Sequence, residues 1–228
     1  MKKMNNFGRD SIPLLVLKIS IPFMFAQFVN VLYSIVDRIY VGNIPGTGAD
    51  ALAGVGVCAP IVTLLSSFGT LFGIGGSVLF SVRLGAEDEK EARKVLANSF
   101  SMLIIVSLVL TVLFLLTRDQ LLNWFGASET IFPYADTYMT IYTAGTFFAL
   151  LSMGMNYFIT AQGFPVLGML TTLIGAVVNI VLDPVFIFLF HMDVAGAALA
   201  TVIAQISSCL FVLCMLRRKK MRVPLGLV

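Results

Sequence analysis

Residues 51–82 read ALAGVGVCAPIVTLLSSFGTLFGIGGSVLFSV, a stretch from Ala51 to Val82 without a single Asp, Glu, Lys or Arg. A helix crosses the hydrocarbon core of a bilayer with about 20 residues. This stretch is longer than one crossing needs, so it is expected to tilt or to project beyond the membrane. The span within it is read as 52–81, and five further segments share its character, at 13–40, 95–117, 134–161, 166–190 and 195–216. Val95–Thr117 is the cleanest, rich in Leu and Val and free of Gly and Pro. The fifth span in chain order is interrupted by Asp183 and Pro184. The expected fold is all-α, one integral membrane bundle of six transmembrane helices over residues 1–228.

Composition excludes the soluble alternative. Charged residues are 12% of the chain, against about 25% in soluble domains, and mean hydropathy is +0.96. The deficit runs along the whole chain, so it is not one anchor on a soluble domain. The first apolar stretch is too long for a signal-peptide core and lacks a small-residue cleavage site, so it reads as a retained span. Cys58, Cys209 and Cys214 lie in apolar runs without metal-ligand spacing and read as buried thiols.

Basic residues set the expected orientation. Lys2, Lys3 and Arg9 precede span one. Arg83, Lys90, Arg93 and Lys94 follow span two, and Arg217, Arg218, Lys219, Lys220 and Arg222 follow span six. With both termini cytoplasmic these twelve lie inside, and only Arg38 and Arg118 lie outside. Lys18 lies near the inner end of span one, where its stem snorkels to the interface. The clusters mark one membrane face, not a nucleic-acid surface. Gly85–Lys94 reads as a charged helical connector supported by a Glu89–Arg93 pair, and Arg118–Pro133 as an interfacial loop. Gly69, Gly73 and Ser77 have a small-xxx-small spacing suited to close helix contact.

Carboxylates inside a bilayer are costly and point to function. Asp37 near the end of span one and Asp183 in span five both fall in the outer half, Asp183 about 10 Å below its outer end at about 1.5 Å per residue. Gln27, Asn30, Ser34 and Asp37 share one helical face, within about 80° of arc. Thr172, Ala176, Asn179 and Asp183 form a second stripe, and Thr201, Gln205 and Ser208 a third. Three such stripes in one bundle imply a hydrated pocket between helices. A carboxylate there binds a proton near neutral pH or, when ionised, holds a cation such as sodium. Asn179, one turn before Asp183, is placed to orient either. Pro184 frees the carbonyl of Ile180, which reads mainly as a kink, and Pro22 should bend span one likewise. Met and Phe, 11 and 19 in number, suit lipid contact first and a greasy drug pocket second.

Several stretches together resemble the multidrug and toxic compound extrusion (MATE) family. They are Val36-Asp37-Arg38-Ile39-Tyr40-Val41-Gly42, Arg83-Leu84-Gly85, Ala92–Ala97, Gln162-Gly163 and Asn179-Ile-Val-Leu-Asp183-Pro184. The resemblance runs over essentially the whole chain. It implies twelve helices in two six-helix lobes, and antiport of organic cations against H+ or Na+ without a cofactor. It places the cation-coupling site at Asp37, Asn179, Asp183 and Thr201 with Tyr142, with sodium at Asp37, Asn179 and Asp183. It also makes Pro22 the hinge whose bending accompanies protonation. Gln27, Asn30, Ser34 and Gln205 are the expected substrate cavity.

The chain is then expected to be the N-terminal lobe of such an antiporter, a multi-pass protein of the cell (inner) membrane. Its partners would be the bilayer, small organic cations, and a second six-helix lobe or a second copy. Stopping at Val228, it lacks a second lobe, as a fragment or a half-transporter. A lipid-linked saccharide flippase is a rival reading, but anionic cargo calls for cavity Arg or Lys, and the spans hold only Lys18 and Arg38 near the surfaces. A non-transporting half-length membrane subunit is another. An enzyme is not expected. His191 is the only histidine, and no nucleophile–base pair is present.

Overall fold

Hydrocarbon offers no water to the backbone, so every amide must be satisfied within its own segment, and helices follow. The computed structural model describes residues 12–218 and 221–226. Lys2, Lys3, Arg9, Lys219 and Lys220 of the basic clusters lie outside them. In chain order the helices are α1 (Ile12–Gly42), α2 (Gly48–Gly85), α3 (Glu89–Leu116), the short α4 (Arg118–Trp124) and α5 (Phe132–Ala161). There follow α6 (Pro165–Pro184), continued by one π-helical turn at Val185–Leu189, and α7 (Asp193–Leu216). Six of these are long and apolar enough to cross a membrane. The protein is a multi-pass helical bundle.

The element ends follow local chemistry. Asp88 caps α3, its side chain accepting from the Glu91 amide at 3.1 Å. The charged stretch after span two is therefore the first turns of α3, not a separate connector, and only Ala86–Asp88 links the helices. Among the described residues the ion pairs formed there are Lys94–Glu91 at 2.6 Å and Arg222–Glu89 at 3.5 Å, in place of the expected Glu89–Arg93. Pro133 and Pro165 stand in the first turns of α5 and α6, where a missing amide donor costs nothing. The expected interfacial loop after span three contains α4, pinned by Arg118, whose Nε lies 2.7 Å from Asp136. At the opposite end the chain after α7 turns back. The Val223 amide donates to Gln162 Oε1 at 2.9 Å and the Leu225 amide to the Leu216 carbonyl at 2.8 Å.

Packing centres on α5, which touches α2, α3, α4, α6 and α7. The approach of α2 to α5 rests on glycine. A Cβ on Gly73 would stand 2.6 Å from Tyr157 Cδ2 and 2.8 Å from Gly154 Cα. Gly69 meets Leu150 as closely, at 2.9 Å. The third expected small position, Ser77, turns its hydroxyl to the Ile74 carbonyl of its own helix. The close contact falls on Gly76 instead, against Ser99 and Phe158 of α3 and α5. By contrast α1 packs mainly on α6 and lightly on α2 and α7. Ile21, Met24, Phe28, Val31, Ile35 and Ile39 leave its outer flank exposed, which lipid tails solvate as readily as a neighbouring helix would.

Glycine is normally a cost within a helix, about 0.8–1.0 kcal/mol relative to Ala. At Gly73 the added methyl meets backbone; at Gly56 it meets nothing within 4 Å. Gly73→Ala is expected to lower the melting temperature of the detergent-solubilised protein, at an overpacking cost of about 1–3 kcal/mol. Gly56→Ala should leave it unchanged or raise it, as read by thermal scanning of the two variants side by side.

Candidate functional site: a buried carboxyl pair beside a neutral cavity

The period of α6 sets Thr172, Ala176, Asn179 and Asp183 on the side facing α1 and α7. Asp183 is fully buried and Asp37 of α1 is 9% exposed. Their carboxyl groups face one another at hydrogen-bonding range. Asn179 joins them to α7: its Nδ2 donates to Asp183 Oδ1 at 3.1 Å and to Thr201 Oγ1 at 3.3 Å. Three oxygens in this cluster, Asp37 Oδ1, Asp183 Oδ2 and Asn179 Oδ1, are buried without a donor. Two ionised carboxylates repel at such range, so the arrangement is favourable when a proton is shared between them or a small cation lies against them. Aspartate, amide and hydroxyl oxygens are the hard donors an alkali cation takes. Among the described residues no group of three or more His, Cys, Asp and Glu forms a metal cluster.

Beside this pair lies a cavity of about 590 Å³ lined from α1, α2, α5, α6 and α7. Gln27, Asn30 and Gln205 line it, together with Tyr142, Asn179 and Thr201. Among the described residues, none that lines it is an Asp, Glu, Lys or Arg. Asp37 and Asp183 stand behind the wall and meet the cavity through Asn179. Ser34 is not among the lining residues, because the α1 face turned inward runs through Asn30 and Tyr33. Pro22 is buried in α1, fifteen residues from Asp37 and so about 22 Å along the axis at about 1.5 Å per residue. It lies within α1 and takes no part in the carboxyl cluster.

Tyr142 lies within interaction range of the side chains of Ser66 and Gln205, and its ring stacks on Tyr138 at 6.0 Å and 15°. Tyr33, one turn before Asp37, lies in electrostatic range of Tyr142, Asp37 and Asp183. Sequence reasoning missed Tyr33, Tyr138 and Ser66. The i,i+4 spacings Tyr33–Asp37 and Tyr138–Tyr142 were the available signals. After Asp183 the helix does not simply kink at Pro184 but widens into the π turn Val185–Leu189. The missing Pro184 amide removes one rung of the α ladder there, and such turns recur at functional sites.

The MatE family model matches residues 22–185, a range holding Pro22, both carboxylates and Asn179. The chain belongs to the MatE family. It is 31% identical to the multidrug export protein MepA of Staphylococcus haemolyticus over 93% of this chain and 47% of the relative. It is 28% identical to MepA of Staphylococcus aureus (strain N315) over 84% of this chain and 42% of that one. Among solved structures, MATE in the bent conformation superposes with a TM-score of 0.86 at 29% identity, over 93% of this chain and 47% of the other. A MOP superfamily transporter from Pyrococcus furiosus, described as having a binding pocket of reversed polarity that suggests a different function, superposes with 0.90 at 28% identity, over 99% and 50%. This MatE chain thus spans about half the length of the curated relatives it matches.

Asn179 serves two acceptors at once, so its loss is expected to cost more than loss of either. Asn179→Leu would strand buried oxygens of Asp183 and Thr201 and lower stability by about 1–3 kcal/mol. Thr201→Val, which removes one acceptor and leaves the Asn179–Asp183 bond, should cost less. Thermal unfolding of the purified variants in one detergent ranks the two.

Proposed function

We propose that this MatE chain is the N-terminal half of a secondary multidrug antiporter that exports organic cations in exchange for H+ or Na+. The observation that carries the reading is the Asp37–Asp183 pair, buried beside an uncharged polar cavity and joined to it by Asn179. With both carboxylates ionised, their field lowers the energy of an organic cation in the cavity. A proton or sodium ion reaching the pair removes that field and the cation loses its hold. The two cargoes therefore exclude one another electrostatically without sharing a seat, which is what exchange requires. A carboxyl pair relieved of its repulsion also favours a different path for α1, with Pro22 as the place where that helix bends.

The excess of basic residues at the Arg83 and Arg217 end supports a cytoplasmic position for it, with both termini inside. Asp37 and Asp183 then fall in the outer half, where the coupling ion enters from outside. In this reading the half-length bundle works with a second six-helix half, or with another copy, in the cell membrane, and the exposed flank of α1 faces lipid.

The sign is fixed by charge: acidification neutralises the carboxyls and weakens organic-cation binding. A unit charge acting over about 10 Å at an effective dielectric of about 20 is worth about 1.7 kcal/mol, a factor of about 15 in affinity. The chain in lipid nanodiscs is expected to bind a fluorescent quaternary cation less tightly as pH falls. Asp37→Asn and Asp183→Asn should each bind it weakly at every pH. Titrating sodium at fixed alkaline pH tells the two coupling ions apart, since only a sodium site gives competition there. Retained tight, pH-dependent binding in both variants would falsify the coupling role.

A further inference from the structure

The cavity is longer than it is wide, and its two ends differ in chemistry. Along α6 its lining runs from Pro165 to Asn179, about 21 Å at about 1.5 Å per residue. Along α1 it runs from Phe23 to Tyr33, about 15 Å on the same basis. A sphere of about 590 Å³ would be only about 10 Å across, so the space is a slot lying along the helices. One end carries Tyr33, Ser66, Tyr142, Asn179, Thr201 and Gln205, with the carboxyl pair behind Asn179. The other, towards Pro165, carries Phe23 of α1, Met153 and Tyr157 of α5 and Met169 of α6. Phe23 is 56% and Met153 37% exposed, and Tyr157 and Met169 are half-buried, so these side chains have surface to offer a ligand. The polar side chains at that end are turned to backbone. Asn156 Nδ2 donates to the Gly168 carbonyl at 3.2 Å, and Thr160 Oγ1 to the Asn156 carbonyl of its own helix at 3.4 Å. On α1, Gln27 and Asn30 lie between the two ends.

We propose that the cavity selects rod-shaped organic cations with the charge at one end. The head lies at the Asn179 end, and an extended or flat apolar body runs along the slot to a seat formed by Phe23, Met153, Tyr157 and Met169. This rests on the cation-binding reading above and adds the shape and direction of the cargo. The attraction for the head comes from Asp37 and Asp183, both at one end of the slot, and it falls with distance. The Pro165 end offers aromatic and thioether surface, which gains by taking apolar area out of water. Methionine side chains adapt to bodies of different outline. An ion whose charge leaves its body at mid-length cannot reach the carboxyl pair and fill the apolar seat together, because the slot is too narrow for the body to lie across it. A compact cation uses one end only.

The test compares two isomers of one p-terphenyl body, each bearing a single trimethylammonium group, either at the tip of a terminal ring or on the central ring. Charge, composition and apolar area are the same in both, so partition into lipid is matched. Each isomer displaces the fluorescent quaternary cation from the chain in nanodiscs at one fixed alkaline pH. The end-charged isomer should bind about tenfold tighter, the least that seating one aromatic ring in an apolar site is worth. Phe23→Ala and Met169→Ala should each move that ratio towards one. Both should leave the affinity of phenyltrimethylammonium, a head without the long body, unchanged. Equal affinity of the two isomers for the unsubstituted chain overturns the shape selectivity while leaving the cation cavity standing. An unchanged ratio in both variants, or a parallel loss of all three ions, overturns the assignment of the seat to these residues. Failure of the unsubstituted chain to bind the fluorescent cation removes the cation-cavity reading and the selectivity with it.

Discussion

The absence of water within the bilayer governs this bundle more than any apolar contact does. Lipid tails solvate a leucine as well as a protein core does, so outward apolar side chains demand nothing of the fold. Polar groups do. Each amide, hydroxyl and carboxyl within the spans must find a partner in the protein or face a cavity that holds one. The bonds from Asn179 to Asp183 and Thr201 meet that demand and tie α6 to α7. The meeting of Asp37 and Asp183 brings α1 into the same cluster. The residues that set the chemistry are thus the ones that specify how three helices sit against one another.

The second organising element is glycine. Gly73 and Gly154 bring α2 and α5 to near backbone contact, and the cavity opens where that contact gives way to polar side chains such as Ser66 and Tyr142. Close approach on one side and a hollow on the other are two outcomes of one packing problem. Where side chains are small the helices touch. Where amides and tyrosines must keep their hydrogen bonds, they stand apart.

Much of this was legible in the sequence, for a physical reason. Six spans could be read because a bilayer demands about 20 apolar residues at each crossing, and charges such as Arg83 and Arg118 mark their ends. Asp37 and Asp183 stood out because a carboxylate in such a run is conspicuous on its own. Features that depend on a second helix were not legible. The choice between Ser34 and its neighbour Tyr33 at the cavity wall is a matter of one hundred degrees of rotation, and only the seat of α1 on α6 decides it. Likewise Ser77 satisfied the small-residue spacing, yet Gly76 took the close contact, because Phe158 and Ser99 arrive from other segments. The capping of α3 by Asp88 was available locally but was masked by the density of charge around it.

Finally, α1 is attached along one flank only, chiefly to α6, with its other side given over to lipid. Local stability in proteins is uneven, and weakly attached elements open first. Such a helix resembles a tiller: its outer flank carries no neighbouring helix, and near one end Asp37 ties it to Asp183 of α6. In the coupling proposed above, a change of charge there bears on a rod of thirty-one residues, whereas α5 is gripped by five other helices. A rod gripped along one flank thus carries one half of the buried carboxyl pair.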